Sequence, residues 1–116
     1  MQKSTAFLTD HYELTMVRAA LGSGTARRRS VFELFGRKLP DGRRYGVVAG
    51  VGRALDAIEA FHFTDAQLNF LIEHHIADEA LAQYLRTYRF TGDVWGYPEG
   101  EIYFPGSPLL VVEAPF

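Results

Sequence analysis

The N-terminal stretch places a carboxylate, an imidazole and a phenol in three consecutive residues, Asp10, His11 and Tyr12. Hydrogen-bonding groups next to an aromatic face can hold a flat, polar ring. A simpler interpretation is structural, in which Asp10 caps a helix and Tyr12 begins its buried face. The local residues alone favour the structural interpretation, and both stay open at this point.

A helix must position these three side chains, and the sequence predicts one from about residue 9 to Gly22 or Gly24. Thr9 or Asp10 can accept a hydrogen bond from an otherwise unpaired backbone N–H at its start, and a glycine can take the left-handed conformation that ends it. The predicted apolar face consists of residues at helical spacing: Tyr12, Met16, Ala19 and Ala20.

Basic side chains are concentrated in residues 27–53, although the 116-residue chain has a net charge of -2. Eight basic residues oppose two acidic ones in this segment, a net charge of +6, whereas the chain beyond Arg53 has ten acidic and two basic residues, a net charge of -8. This asymmetry indicates a particular anionic ligand or partner more than general affinity for nucleic acid. The alternative is a solvated face, or ion pairs with the acidic half. The basic residues are Arg27, Arg28, Arg29, Arg37, Lys38, Arg43, Arg44 and Arg53.

Composition excludes several kinds of chemistry. The chain has no cysteine, which excludes disulfides, thiolate catalysis and cysteine-based zinc sites. His74 and His75 are adjacent in a predicted helix and point apart, so they indicate a helix C-terminus rather than a metal site. Glu99 and Glu101 do not by themselves define a paired-carboxylate site. No apolar run is long enough to span a membrane, which predicts a soluble, cytoplasmic protein.

Helical and strand patterns along the chain predict the α+β class. Thr64 and Gln67 occupy the reciprocal positions of a capping box, which predicts a helix over 65–75, and a further helix is predicted over 78–88. Glycine, proline and β-forming residues replace helix formers in the last quarter. Short strands are therefore predicted over 91–97, 101–104 and 108–113.

A strand is predicted over 29–36, and apolar residues on both of its faces indicate a central position in a sheet. Glu33 would be buried there, with Arg37 or a neighbouring arginine as its partner. Farther on, a strand over 45–50 leads through Gly50-Val51-Gly52 into a helix, whose first backbone N–H groups could bind an anion. The turn lacks the Gly-Lys-Ser/Thr ending of a P-loop, which favours a packing role for its glycines.

Two groups of motifs together extend over nearly the whole chain. The first is Thr9-Asp10-x-Tyr12-x-x-Thr15-Met16, followed by Phe32-Glu33-x-x-x-Arg37-x-Leu39-Pro40. The second is Phe90-x-Gly92-Asp93-Val94, followed by Glu99-Gly100-x-x-x-Phe104-Pro105-x-x-Pro108-Leu109-Leu110-x-Val112-Glu113. In this order and combination they resemble the N-terminal part of the nicotinate phosphoribosyltransferase family.

The resemblance implies an α/β-hammerhead-like N-terminal domain with a barrel-sandwich element over residues 1–116, in a family whose α/β barrel follows it. The family couples nicotinate to phosphoribosyl pyrophosphate, with ATP and Mg²⁺, and yields nicotinate mononucleotide for NAD salvage. Its active site lies at a homodimer interface, without nucleic acid or a membrane. Because the barrel is absent here, we expect a fragment that is inactive alone and binds neither ATP nor Mg²⁺ by itself.

The same resemblance implies site residues only where the motifs match. Asp10 and Tyr12 correspond to the segment that lines the pyridine pocket, with Tyr12 stacking on the ring. Arg37 corresponds to a position that approaches the substrate phosphates, and Glu33 would orient it. No catalytic residue or metal ligand is implied, because no histidine here matches the one that ATP phosphorylates in the family.

Other interpretations stay open. A quinolinate or nicotinamide phosphoribosyltransferase would carry a similar domain, and only the barrel would settle the pyridine specificity. A non-catalytic barrel-sandwich binding module is the other alternative, because the segment 92–113 also resembles half of a biotinyl or lipoyl carrier. A carrier needs an exposed lysine at a hairpin, and no lysine follows Lys38, which argues against a carrier.

Overall fold

The computed structural model describes residues 4–116, which form an α+β domain, as the sequence predicts. Each predicted helix is present, and its ends differ from the prediction by no more than two residues. None of the helices in the described residues has the length and hydropathy needed to cross a membrane. In chain order the elements are α1 His11–Gly22, β1 Arg29–Phe35, β2 Gly46–Val47, α2 Val51–Glu59, α3 Asp65–Glu73, α4 Glu79–Thr87, β3 Asp93–Gly96, β4 Ile102–Tyr103 and β5 Pro108–Pro115.

Local side-chain caps explain where the helices begin. Asp10 is the N-cap of α1, and its backbone N–H donates to the Glu13 carboxylate at 3.0 Å. At α3, Thr64 Oγ1 accepts from Gln67 N–H at 3.2 Å, and the Thr64 N–H donates to Gln67 Oε1 at 2.9 Å. Such reciprocal pairs satisfy donors that have no partner inside the helix. The capping box predicted at Thr64 is therefore confirmed.

The main hydrophobic core lies among the helices. α3 and α4 pack together, and α1 packs on α4. Leu68 and Leu81 are fully buried at its centre. The remaining core side chains come from the N-terminal segment, α1, α3, α4 and the connections on either side of α3: Ala6, Leu14, Phe63, Leu71, Ala77 and Leu85.

The predicted apolar face of α1 is correct at Ala20, which is buried, and wrong at Tyr12, Met16 and Ala19, which are exposed. Leu14 is buried and Val17 and Leu21 pack against the core, whereas Tyr12 is 60% exposed and Met16 46% exposed. The helix therefore carries two apolar stripes, and the one containing Tyr12 faces away from the core. The structural interpretation of Tyr12 as a core residue is thereby excluded.

The larger sheet is antiparallel, with strand order β1-β5-β3. β5 is central, and its Val112 lies opposite Phe32 of β1 on one side and Val94 of β3 on the other. The prediction that β1 is central is therefore wrong, because β1 is an edge strand. Its exposed position also leaves Glu33 in solvent, so Glu33 is not a buried carboxylate that needs Arg37 as a partner.

A second, two-stranded ribbon pairs β2 with β4, with Gly46 opposite Tyr103. The Tyr103 ring lies so close to this strand that a Cβ on Gly46 would be 2.5 Å from Tyr103 Cζ. The absence of a side chain at this position is thus what allows the ribbon to close.

We predict that Gly46→Ala destabilises the domain by roughly 1–3 kcal/mol, because the new methyl group must displace the Tyr103 ring or the strand. The measurement is the free energy of unfolding in urea. Gly22→Ala is the matched control, since a Cβ there meets nothing within 4 Å. Equal stability of the two variants would contradict the close approach of Tyr103 to Gly46.

Candidate functional site

The start of α1 forms one candidate surface. Asp10 and His11 line a small cavity of about 180 Å³ whose walls include Phe7 and Phe70. Tyr12 does not line that cavity, and its ring is exposed one residue farther along the helix. The structure therefore places the carboxylate of the N-cap residue Asp10, the imidazole of His11 and the exposed ring of Tyr12 at the start of one helix.

The other two predicted site residues lie on and just after β1. Glu33 and Arg37 are both exposed, on the strand and on the connection that follows it. Within residues 4–116 no hydrogen bond, ion pair or shared cavity joins either of them to Asp10 or Tyr12, or joins them to each other. The structure thus presents these residues as two separate surfaces, one on α1 and one at the end of β1.

The basic segment is mostly not neutralised. Among residues 4–116, Arg29 alone of its eight basic side chains forms an ion pair, with Glu113 of β5. The hydrogen bond from the Arg29 guanidinium holds the pKa of the Glu113 carboxyl below its usual range. Ion pairing with the acidic half therefore accounts for one residue, and the other seven side chains project into solvent.

The turn before α2 already holds an anionic side chain. The Glu99 carboxylate accepts from Gly50 N–H at 2.9 Å and from Gly52 N–H at 2.9 Å. The backbone donors that could have bound a phosphate are thus satisfied from within the chain. The finding argues against the less favoured alternative, that the turn Gly50-Val51-Gly52 binds an external anion, and it gives Glu99 a role that its sequence position did not predict.

An apolar groove of about 410 Å³ separates the N-terminal segment and α1 from α4. Leu8, Val17, Phe61, Tyr88 and Phe116 are among its walls, and Glu13 is the acidic side chain at its edge. Burial raises the pKa of the Tyr88 phenol, and the neighbouring Tyr84 contributes in the same direction. The lining is mainly apolar, and its residues with polar side chains are Thr5, Thr9, Glu13, Tyr84 and Tyr88.

Potential metal ligands are not grouped in the part of the chain that the structure describes. Across residues 4–116, no three histidine, aspartate or glutamate side chains are grouped so that they could hold a metal ion. His74 is the C-cap residue of α3, and its ring lies beside that of Phe70, tilted by 42°, with 4.2 Å between the centroids. The donor set therefore does not fit a bound Mg²⁺.

Known proteins are similar to this chain in both sequence and fold. A sequence model described as the nicotinate phosphoribosyltransferase N-terminal domain matches residues 7–116. Nicotinate phosphoribosyltransferase pncB1 of Mycobacterium tuberculosis is 54% identical over 115 residues, which are 99% of this chain and 25% of that protein. The enzyme of Bacillus subtilis is 37% identical over 112 residues, 97% of this chain and 23% of that protein.

Solved structures give the same result. The crystal structure of human nicotinic acid phosphoribosyltransferase superposes with a TM-score of 0.79 at 35% identity, covering 92% of this chain and 22% of that one. Nicotinate-nucleotide pyrophosphorylase from Pyrococcus furiosus, with a TM-score of 0.57 at 21% identity over 91% of this chain and 20% of that one, shares the fold alone.

The α+β fold is thus that of a phosphoribosyltransferase N-terminal domain, as the superposition on the human enzyme shows. Within that class, the chain belongs to the nicotinate phosphoribosyltransferase family. It spans about a quarter of the length of the relatives cited here.

We predict that Glu99→Ala destabilises the domain by roughly 1 kcal/mol, because two N–H groups at the start of α2 lose their acceptor. The measurement is thermal unfolding followed by circular dichroism. Glu101→Ala is the matched control, since that carboxylate accepts from the adjacent Ile102 N–H and does not reach α2. A Glu99 variant as stable as the Glu101 variant would contradict the capping role.

Proposed function

We propose that this domain supplies the ring-stacking and phosphate-contacting side chains of a nicotinate phosphoribosyltransferase. The reaction joins nicotinate to phosphoribosyl pyrophosphate, yields nicotinate mononucleotide and pyrophosphate, and serves NAD salvage. Sequence identity to named nicotinate phosphoribosyltransferases over almost the entire chain supports the choice of nicotinate over other pyridines.

The exposure of Tyr12 carries the proposal. A tyrosine on an amphipathic helix normally packs into the core, but here Leu14 and Val17 fill that position and Tyr12 remains 60% exposed. An aromatic face held by a capped helix can stack on a pyridine ring with little loss of side-chain entropy. Asp10, fixed as the N-cap, would line the same pocket and act on the polar edge of the ring.

Arg37 would contact the phosphate groups. Its guanidinium is exposed and forms no ion pair within residues 4–116, so it keeps its full set of donors for a ligand. The planar fork of arginine matches two phosphate oxygens at once, which an ammonium group cannot do. Glu33, four residues earlier on β1, would limit the orientations of Arg37 when ligand is bound.

These side chains serve binding and positioning rather than the chemical step. Transfer of the phosphoribosyl group passes through a positively charged, oxocarbenium-like state that needs stabilising groups on several sides. Asp10, Tyr12 and Arg37 would surround only part of such a substrate. We therefore propose a homodimeric, cytoplasmic enzyme. In it, the longer part of the family's chain supplies the remaining groups that stabilise the transferred phosphoribosyl group.

In this proposal, ATP and Mg²⁺ bind to parts of the enzyme outside this domain. The donor set of residues 4–116 does not fit a metal ion. No step assigned to Asp10, Tyr12 or Arg37 passes through Mg²⁺ or ATP.

The test is a chimera in which this chain replaces the corresponding quarter of the Bacillus subtilis relative. We predict that Tyr12→Ala lowers kcat/KM for nicotinate about tenfold, the loss of one stacked aromatic pair, whereas Tyr12→Phe retains most of it. Arg37→Ala should raise KM for phosphoribosyl pyrophosphate about tenfold or more, the loss of one charge-assisted contact. The measurement is steady-state formation of nicotinate mononucleotide.

Two variants serve as matched controls. Arg53→Ala removes an exposed arginine from the same basic segment, and Tyr97→Ala removes another exposed tyrosine. Neither should change kcat/KM by more than about twofold. A chimera that is fully active with Tyr12→Ala and Arg37→Ala would refute the assigned roles, and a correctly folded chimera without activity would refute the proposed reaction.

A further inference from the structure

The outer edge of β1 has no neighbouring strand in the part of the chain that the structure describes. β1 is the first strand in the order β1-β5-β3, and among residues 4–116 it pairs with β5 alone. It has seven residues, whereas β3 at the opposite edge of the sheet has four. A long edge strand with apolar side chains is a template for pairing with another strand, unless charges, a proline or a bulge prevent it.

The backbone groups on this outer edge belong to Arg29, Val31 and Glu33. The Arg28 carbonyl accepts from Phe116 N–H at 3.1 Å, so the backbone groups of Arg28 and of every second residue after it point toward β5. The backbone groups of the residues between them point the opposite way, out of the sheet. The N–H and C=O groups of these three residues are therefore placed to pair with an additional strand.

Two charged residues lie on this edge, and their charges have opposite signs. Arg29 and Glu33 are four residues apart, and the exposed Val31 lies midway between them. In an antiparallel pair of β1 strands with the two Val31 residues facing each other, each Arg29 lies opposite a Glu33 of the second copy. Charges that would repel many other strands thus make this edge complementary to itself.

The neighbouring registers lack this complementarity. Registers that keep the outward backbone groups face to face differ by steps of two residues, because the pleat has a period of two. One step in either direction places a charged residue opposite Val31. Two steps bring like charges together, either two Arg29 side chains or two Glu33 side chains. The backbone pattern and the charges therefore select the register centred on Val31.

Arg29 can enter such a pair without losing its partner inside the chain. Its Nε donates to the Glu113 carboxylate of β5, which leaves the terminal nitrogens of the guanidinium for another acceptor. The Arg29 side chain is 68% exposed, so a second carboxylate can reach it. Glu33 is exposed too, and within the described residues 4–116 it forms no ion pair.

We infer that β1 is a self-association surface, at which the β1 strands of two copies of this chain pair antiparallel about Val31. The two three-stranded sheets become one continuous sheet, and the two-fold symmetry makes each contact occur twice. Backbone hydrogen bonds and the burial of Val31 and Phe32, which are 59% and 54% exposed, stabilise the dimer. The two Arg29–Glu33 pairs set the register. The inference does not depend on the proposed reaction.

The test is sedimentation equilibrium of this chain over a range of protein concentrations. A reversible monomer–dimer equilibrium is expected, without larger species, because the symmetric pairing occupies the β1 edge of both copies. Val31→Lys should weaken dimerisation about tenfold or more, because two ammonium groups would face each other at the two-fold axis. Val47→Lys is the matched control, since Val47 is 57% exposed but lies on β2 of the separate ribbon. It should change the dimerisation constant by less than about twofold.

Charge reversal tests the register. Arg29→Glu and Glu33→Arg should each weaken self-association about tenfold or more, since each variant places like charges opposite each other. An equimolar mixture of the two variants should restore dimerisation, because every facing pair in the mixed dimer again has opposite charges. Far-UV circular dichroism and the melting temperature verify that each variant is folded. If the loss of the Glu113 ion pair unfolds Arg29→Glu, Glu33→Arg and Val31→Lys carry the test.

Several results would overturn the inference. They include a chain that stays monomeric up to millimolar concentration, a folded Val31→Lys or Glu33→Arg variant that dimerises as tightly as the unmodified chain, and a mixture of folded variants that associates no better than either alone. Open-ended assembly would indicate pairing of β1 with β3 of the next copy instead. Release of the second copy by the added barrel of a relative would assign the edge to the longer part of the family's chain, and it too would overturn the inference.

Discussion

The pairing of β5 between β1 and β3 is the constraint on which the rest of the domain depends. Strands from near the two ends of the chain meet in it, and Phe116 N–H extends the contact by donating to the Arg28 carbonyl at 3.1 Å. The ion pair of Arg29 with Glu113 lies on the same pairing. Since β1 leads directly into Arg37, the pairing of this sheet determines where the side chain that we propose as a phosphate contact emerges.

The helices and the sheet differ in how much of their apolar surface is buried. The helices bury most of the core, whereas the edge strand β1 leaves large apolar side chains in solvent, among them Val31 at 59% and Leu34 at 56% exposure. Val31 and Leu34 lie on opposite faces of β1, so both faces of this edge strand expose apolar side chains. This surface accords with the proposal that the domain acts inside a larger phosphoribosyltransferase, with stability supplied by its own helices.

Local sequence signals predicted the elements well because their causes are local. The Thr64 capping box and the strand over 29–36 each depend on signals within a few residues, and both are confirmed. The predicted apolar face of α1 was wrong at most of its positions because the helix carries two apolar stripes, and only packing against α4 selects the Leu14 stripe. Local pattern could not make that choice.

The wrong position predicted for β1 and the unpredicted role of Glu99 have a common origin in long-range contacts. Whether β1 is central or at an edge depends on β5, nearly 80 residues away along the chain, and Glu99 reaches Gly50 across 49 residues. α2 has glycine at its N-cap and therefore no capping side chain of its own. That missing cap was the sequence signal that a carboxylate from elsewhere in the chain could accept from the first N–H groups of the helix. For the candidate site, family resemblance supplied the residues, and the structure added the exposure of Tyr12 and the unpaired state of Arg37.

The central claim is that the domain supplies one side of the active site but not the whole of it. The most direct test measures the formation of nicotinate mononucleotide by this chain, with and without the separately expressed barrel of a relative. Nicotinate, phosphoribosyl pyrophosphate, ATP and Mg²⁺ are present in both assays. The predicted result is product only in the mixture. Turnover by the chain alone, or none in a mixture shown to associate, would contradict the claim.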